Sequence, residues 1–318
     1  MTLQFNNLLE GMQAMSVEIR DNRFVDIVGS SLTFDCLGDS FLFIEGPVWD
    51  SARQRLLFSD IPANAIYEWS RAKGIEEFRR PSNKANGLTW DRQGRLLSCE
   101  HASSRVTRLE EDGQITVIAS EYQGRELNSP NDIVVKSDGG IYFTDPTYGR
   151  QEYYGVPREP QLGFRGVYRA DPQRDSLTLL ADDFAQPNGL CFSSDERLLY
   201  VNDTKRKHIR VFDVRSDGTL AGGGVFSDVI GEGNGAPDGM KIDSEGNLYC
   251  CGPGGIHLFD SSANYLGVIH VPTPTANFNW GDHDLKSLFI TASACLYRVD
   301  VRVPGRRVRP HFAATATH

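Results

Sequence analysis

Apolar and polar residues alternate along this chain in short bursts, each closed by a cluster of Asp, Gly, Ser or Asn. Around Asn188, N-G-L-C-F runs into the polar turn S-S-D-E-R and returns through L-L-Y-V-N; I-R-V-F-D then leads to the turn R-S-D-G. Apolar run, polar turn and apolar run make the hairpin signal. Aromatic and β-branched residues suit the half-buried face of a strand, while Asp, Gly and Ser suit the turns. A helical period is found only over Leu3–Ile19, where Leu8, Leu9, Met12 and Met15 predict a short helix.

The bursts are organised into six copies of one unit, opening at Glu45 (E-G-P-V-W-D), Asn86 (N-G-L-T-W-D), Asn131 (N-D-I-V-V-K), Asn188 (N-G-L-C-F-S), Asp238 (D-G-M-K-I-D) and a degenerate copy at Trp280 (W-G-D-H-D-L). The intervals are 41, 45, 57, 50 and 42 residues. Units of this length with about four short strands each are propeller blades. The chain is therefore predicted to be all-β, a six-bladed β-propeller with a metal site in its central channel. The long third interval predicts an insertion at residues 146–163, rich in Pro, Gly and Tyr, looping over one end of the ring. The last unit runs short of strands, so an N-terminal segment, F-V-D-I-V or S-L-T-F-D, is expected to complete it. The predicted organisation is an N-terminal extension (1–40), the propeller (41–303) and a C-terminal tail (304–318).

Composition narrows the function by exclusion. A net charge of −9 and a pI near 5.3 disfavour nucleic acid and anionic membranes as partners. The basic stretch Arg302, Arg306, Arg307 and Arg309 reads as a solvated tail. No run approaches the ~20 apolar residues of a membrane span, and the N-terminus lacks the apolar core of a signal peptide, so a cytoplasmic location is expected. Six cysteines without C-x-x-C spacing read as reduced thiols, mostly buried in strands. The vicinal pair Cys250 and Cys251 is not expected to face the core together, because neighbouring strand residues point oppositely.

Equivalent positions of the repeat surround one axis, so its first residues should converge on the mouth of the channel. That column reads Glu45, Asn86, Asn131, Asn188, Asp238 and Trp280. Turn formation explains Asn and Asp before Gly, but it explains Glu45 poorly and does not account for every polar candidate falling in phase. Carboxylates and amides gathered on one axis need a partner. One divalent cation supplies it, and an all-oxygen donor set with two carboxylates suits a hard ion, Ca²⁺ first, with Mg²⁺, Mn²⁺ or Zn²⁺ as alternatives.

The strings F-I-E-G-P-V-W, F-S-D-I-P-A-N-A-I-Y, L-N-S-P-N-D-I-V-V-K-S-D-G, I-Y-F-T-D-P-T-Y-G, Q-P-N-G-L-C-F-S and G-A-P-D-G-M resemble the bacterial gluconolactonases of the regucalcin/gluconolactonase family. The likeness covers about residues 40–300. It implies a divalent-metal-dependent lactone hydrolase with Glu45, Asn188 and Asp238 as metal ligands. It also implies that Asn131 touches the substrate or completes the metal sphere. Trp280 departs from the family's pattern, and a bulky ring there is expected to stack on substrate or narrow the channel.

Opening a lactone places negative charge on the carbonyl oxygen, which a cation stabilises while a carboxylate takes a proton from water. Asp238 is the expected general base. A serine nucleophile is disfavoured, since no G-x-S-x-G occurs and the seven histidines show no triad spacing. Asn86, His101, Asp145 and Tyr148 are further expected substrate contacts. The expected substrate is a sugar lactone, glucono-1,5-lactone or a related aldonolactone. The alternatives are a phosphotriester or non-sugar lactone on the same scaffold, or a calcium-binding propeller without turnover.

Overall fold

The computed structural model describes residues 16–306. Three N-terminal elements precede the ring: β1 (Val17–Ile19), α1 (Arg23–Ile27) and β2 (Asp35–Gly38). Blade 1 is β3 (Ile44–Asp50), β4 (Arg55–Asp60), β5 (Ala65–Ser70) and β6 (Gly74–Arg79); blade 2 is β7 (Ala85–Trp90), β8 (Leu96–Glu100), β9 (Arg105–Leu109) and β10 (Ile115–Ala119). A small hairpin follows, β11 (Glu121–Tyr122) and β12 (Arg125–Glu126). Blade 3 is β13 (Ile133–Val135), β14 (Ile141–Asp145), β15 (Arg165–Asp171) and β16 (Ser176–Phe184); blade 4 is β17 (Pro187–Phe192), β18 (Leu198–Asp203), β19 (His208–Val214) and β20 (Leu220–Asp228). Blade 5 is β21 (Met240–Ile242), β22 (Leu248–Gly252), β23 (Gly255–Phe259) and β24 (Tyr265–His270), and blade 6 is β25 (Asn277–Gly281), β26 (Ser287–Ala292) and β27 (Cys295–Asp300). Every pairing within a blade is antiparallel, and the six sheets form the propeller.

The ends of the chain meet on blades 5 and 6. β2 pairs with β27 as the outer strand of blade 6, and β1 adds a fifth strand to blade 5 beside β24. The segment F-V-D-I-V is helix α1 rather than a strand; Phe24 and Ile27 are its buried face. S-L-T-F-D contributes only its last residue, Asp35, to β2. Of the predicted Leu3–Ile19 helix, residues 1–15 lie outside the described residues, and Val17–Ile19 is a strand. The basic C-terminal stretch is anchored as far as it is described. Arg302 Nη1 donates to Val25 O at 3.0 Å, Arg306 Nη1 donates to Ser193 O at 3.2 Å, and Gly305 bridges Asp243. Arg307 and Arg309 lie outside the described residues.

Blades stack face to face, so inner strands are buried on both sides. β3 and β22 have no exposed residue. Cys250 and Cys251 correct the one-sided expectation: both are fully buried, Cys250 in the apolar cluster with Met240 and Tyr200, Cys251 in the cluster with Tyr249 and Phe278. All six thiols are free. No helix among the described residues is long and apolar enough to cross a membrane.

The glycine of the repeat has a packing function at the axis. A Cβ on Gly46 would lie 2.0 Å from Asn86 O, one on Gly87 2.4 Å from Asn131 O, and one on Gly189 2.1 Å from Asp238 O. Blades 1, 2 and 4 thus seat this glycine against the carbonyl of the next blade's opening residue. The strand behind grips carbonyls of the same column: Ser59 Oγ donates to Asn86 O and Thr144 Oγ1 to Asn188 O, both at 2.8 Å, and Asn202 Nδ2 donates to Asp238 O. The opening residues are held by their backbones, which leaves their side chains for the channel.

Candidate active site at the propeller axis

Bulges aim the column. The register of the innermost strand shifts between Glu45 and Val48, between Ala85 and Leu88, and between Pro187 and Leu190. A bulge turns a side chain out of the strand's alternation, here towards the axis.

Glu45 and Asp238 meet there. Glu45 is buried, and its Oε2 accepts from Asn277 Nδ2 at 3.0 Å and from the Gly46 N–H. Burial first, and the negative charge of Asp132 second, push its carboxyl up to about 7. The Asp238 carboxyl stands in contact with that of Glu45; burial and the charges of Glu45 and Asp132 raise it well above the usual carboxylate range. Asn188 opposes the rise by hydrogen bonding to Asp238, and its Nδ2 also donates to Thr204 Oγ1 at 3.0 Å. Both bonds use the amide N–H, because a carboxylate only accepts. The Asn188 oxygen is the end these bonds leave unused. Asn131 sits at the same level with its backbone pinned on both sides, N–H to Thr144 O and O to Gly87 N, each at 2.8 Å.

Among the described residues no three His, Cys, Asp or Glu side chains cluster as a metal site. A cation at this axis would need amide oxygens beside the two carboxylates. The donor set fits: two carboxyl groups pressed together in a buried mouth are stable only by sharing protons or facing a positive charge.

Two members of the group were missed in the repeat column. Asp132 and Asn277 occupy the position that is glycine in the other four blades, so their side chains enter the channel just inside the opening residues. Asn277 Oδ1 accepts from Lys241 Nζ at 3.4 Å, and burial raises the Asp132 carboxyl while Lys241 pulls it down. The legible signal was the loss of glycine from the motif.

Register also corrects Trp280. It pairs with Leu288 as Ile242 pairs with Leu248 and Phe192 with Leu199, four residues beyond the opening position. Ala276 and Asn277 therefore open blade 6. The Trp280 ring packs edge-on to Tyr249 and Phe278 and against Gly305, in apolar core rather than at the channel mouth. Asp145 is corrected as well. Its carboxylate accepts from the Asn128 and Ser129 N–H groups at 2.8 and 2.7 Å, and is fully buried. Asp60 does the same for Leu42 and Phe43, and Asp203 for Ala185 and Gln186. An Asp ending the second strand clamps the loop before the first in blades 1, 3 and 4, a structural task.

The 146–163 insertion covers the mouth. Its 3₁₀ turn Tyr148–Arg150 puts the Tyr148 hydroxyl on Thr204, with burial and the charge of Asp238 pushing the phenol up to about 12. Lys84 Nζ donates to Glu152 O and Tyr153 O at 3.2 and 3.1 Å, and Tyr153 Oη donates to Leu42 O at 3.2 Å. His101 lies beneath, fully buried, between Asn86 and the Tyr154 carbonyl. The cap therefore rests on blades 1, 2 and 4 and roofs the opening column.

Residues 43–294 match the family described as the SMP-30/Gluconolactonase/LRE-like region. The chain belongs to this family. A gluconolactonase of Zymomonas mobilis is 30% identical over 302 residues, spanning 88% of this chain and 84% of its own. The lactonase drp35 of Staphylococcus epidermidis is 27% identical over 248 residues, spanning 74% of this chain and 72% of its own. The solved structure of a gluconolactonase from Xanthomonas campestris superposes with a TM-score of 0.84 at 33% identity, covering 90% of this chain and 95% of that one. The family and fold expected from the motifs are those found.

Proposed function

We propose that this chain is a lactonase that opens a sugar lactone, glucono-1,5-lactone or a related aldonolactone, with one divalent cation at the propeller axis. The observation that carries the reading is the contact between the Glu45 and Asp238 carboxyl groups in a capped, buried mouth beside Asn188. The gluconolactonase relatives support the lactone; the all-oxygen donors support a hard cation, Ca²⁺ first. Glu45, Asn188, Asp238 and Asn131 are the proposed holders.

When bound, the cation supplies polarisation of the lactone carbonyl and a more acidic water. Asp238, the more exposed of the two carboxyl groups, takes the proton from the attacking water as general base. The water oxygen bonds to the carbonyl carbon, the ring C–O bond breaks, and the leaving alkoxide is protonated, giving the open hydroxy acid. Asn86, beside His101, and Tyr148, on Thr204, are the proposed substrate contacts, and the cap limits the water that reaches them.

The test is acid release from aldonolactones, from a lactone without hydroxyls and from a paraoxon-type ester, before and after EDTA and with cation added back. Turnover of the sugar lactones, lost with EDTA and restored by Ca²⁺, is expected. An EDTA-insensitive rate would overturn the cation, and ester turnover without lactone turnover would overturn the substrate.

A further inference from the structure

Asn86 carries a buried oxygen for which the fold supplies no partner. Its Nδ2 lies 3.2 Å from His101 Nε2, and His101 Nδ1 lies 3.0 Å from the main-chain oxygen of Tyr154 in the cap. A carbonyl oxygen only accepts, so Nδ1 carries the ring proton. Burial keeps the imidazole neutral, its pKa lowered to about 4, and Nε2 is then an acceptor. This decides which way the Asn86 amide stands: NH₂ towards His101, Oδ1 away from it. Oδ1 has no hydrogen-bond partner, in a residue only 3% exposed.

The location is next to the chemistry. The Asn86 backbone abuts Gly46, the residue after Glu45. Above His101 stands Gly149 of the cap, where a Cβ would lie 2.7 Å from the ring's Cγ, so cap and histidine touch without a side chain between them. A neutral amide oxygen is a suitable acceptor here. It takes a hydrogen bond from a hydroxyl without adding negative charge near a carbonyl that becomes negative in the reaction.

We propose that Asn86 Oδ1 accepts a hydrogen bond from a ring hydroxyl of the lactone, and that His101, set by the Tyr154 carbonyl, is the positioning residue that keeps this oxygen turned to the substrate. The proposal rests on the sugar-lactone reading above. Under it, the cap selects polyhydroxylated lactones through a backbone carbonyl, a histidine tautomer and an amide orientation.

The experiment compares kcat/KM for glucono-1,5-lactone and δ-valerolactone, a ring of the same size without hydroxyls, in wild type, Asn86→Leu, His101→Leu and His101→Gln. The ratio of hydroxylated to bare lactone is expected to fall about tenfold or more in Asn86→Leu and His101→Leu, mostly through KM. In His101→Gln it should return towards the wild-type value, because a Gln amide can donate to Tyr154 O and accept from Asn86. An unchanged ratio in folded Asn86→Leu, or a Gln variant no better than Leu, overturns the proposal. So does a loss of Ca²⁺ affinity in Asn86→Leu with the ratio intact, which would assign Oδ1 to the cation. Nitrogen NMR of His101 tests the relay without any substrate: the Nδ1–H tautomer is expected, and the Nε2–H tautomer would overturn it. Failure of the wild type to turn over either lactone would remove the sugar-lactone reading and the hydroxyl contact with it, while the tautomer would still decide the relay.

Discussion

Asn277 donates its Nδ2–H to Glu45 Oε2 over 3.0 Å, joining the last blade to the first at the axis itself. The same amide accepts from Lys241 Nζ on blade 5, so one side chain couples three blades around the carboxylate. A ligand held by a hydrogen-bonding neighbour loses orientation when that neighbour is removed. Asn277→Ala is therefore expected to weaken Ca²⁺ binding about 10- to 100-fold, read from the Ca²⁺ dependence of turnover. Asn277→Asp should be worse, since it sets a further carboxylate beside Glu45 and Asp132. An alanine variant within twofold of wild type would show that Glu45 needs no such support.

The raised carboxyl of Glu45 gives the cation-free protein a definite pH dependence. A carboxyl with pKa 4.5 in the unfolded chain and about 7 in the fold favours folding while protonated. Its contribution is present below about pH 4.5 and is lost as pH rises through 7. Thermal unfolding of EDTA-treated protein should therefore show a stability component that declines between these limits. Ca²⁺ should restore it, with the largest gain at and above neutral pH, where less proton must be displaced. A Ca²⁺ stabilisation that is flat from pH 5 to 8 would contradict the paired-carboxyl description of the mouth.

Asp145 separates structural from catalytic carboxylates. Removing its side chain leaves the Asn128 and Ser129 N–H groups buried without acceptors, at a cost of about 3 kcal/mol for Asp145→Ala. Urea unfolding should report that loss. Turnover per folded molecule should stay within a few-fold of wild type, and a catalytic collapse in well-folded protein would return Asp145 to the active site.

Asp238 should behave in the opposite way. Asp238→Asn keeps the shape and one potential oxygen ligand but cannot take a proton, so kcat is expected to fall about 10²- to 10⁴-fold with the variant saturated in Ca²⁺. Melting should change little. Near-normal turnover with cation bound would assign the base elsewhere.

Much of this was legible from period and phase. Five in-phase openings and a degenerate sixth copy specify six blades, and Glu45 stood out because Glu has no turn preference to explain it. What stayed hidden depended on register. In blade 6 the W-G of Trp280 and Gly281 mimics the opening motif, but the pairing of Trp280 with Leu288 moves the true opening to Ala276 and Asn277. Asp145 looked like a site residue because it borders the insertion; only its bonds to two backbone N–H groups reveal a clamp shared with Asp60 and Asp203. Cys250 and Cys251 defeat an alternation argument that assumes one buried face, whereas a propeller strand has two.

Lys84 tests whether the cap governs access. Its ammonium binds the carbonyls of Glu152 and Tyr153, one of the contacts that hold the insertion against blade 2, beside His101 on the Tyr154 carbonyl and Arg158 on Ser104 Oγ. Lys84→Met keeps the length of the stem and removes both bonds. The cap is then held less firmly on the side above His101, while the Thr147–Gln186 bonds to blade 4 are untouched. Opening lowers the population competent to close over substrate, so KM should rise several-fold while kcat falls less. Limited proteolysis should show faster cleavage within residues 150–158 in the variant, and saturating lactone should suppress it. Equal cleavage rates with an unchanged KM would mean that the remaining contacts, among them Tyr153 on Leu42, Tyr148 on Thr204, His101 on Tyr154 and Arg158 on Ser104, are sufficient to hold the roof in place.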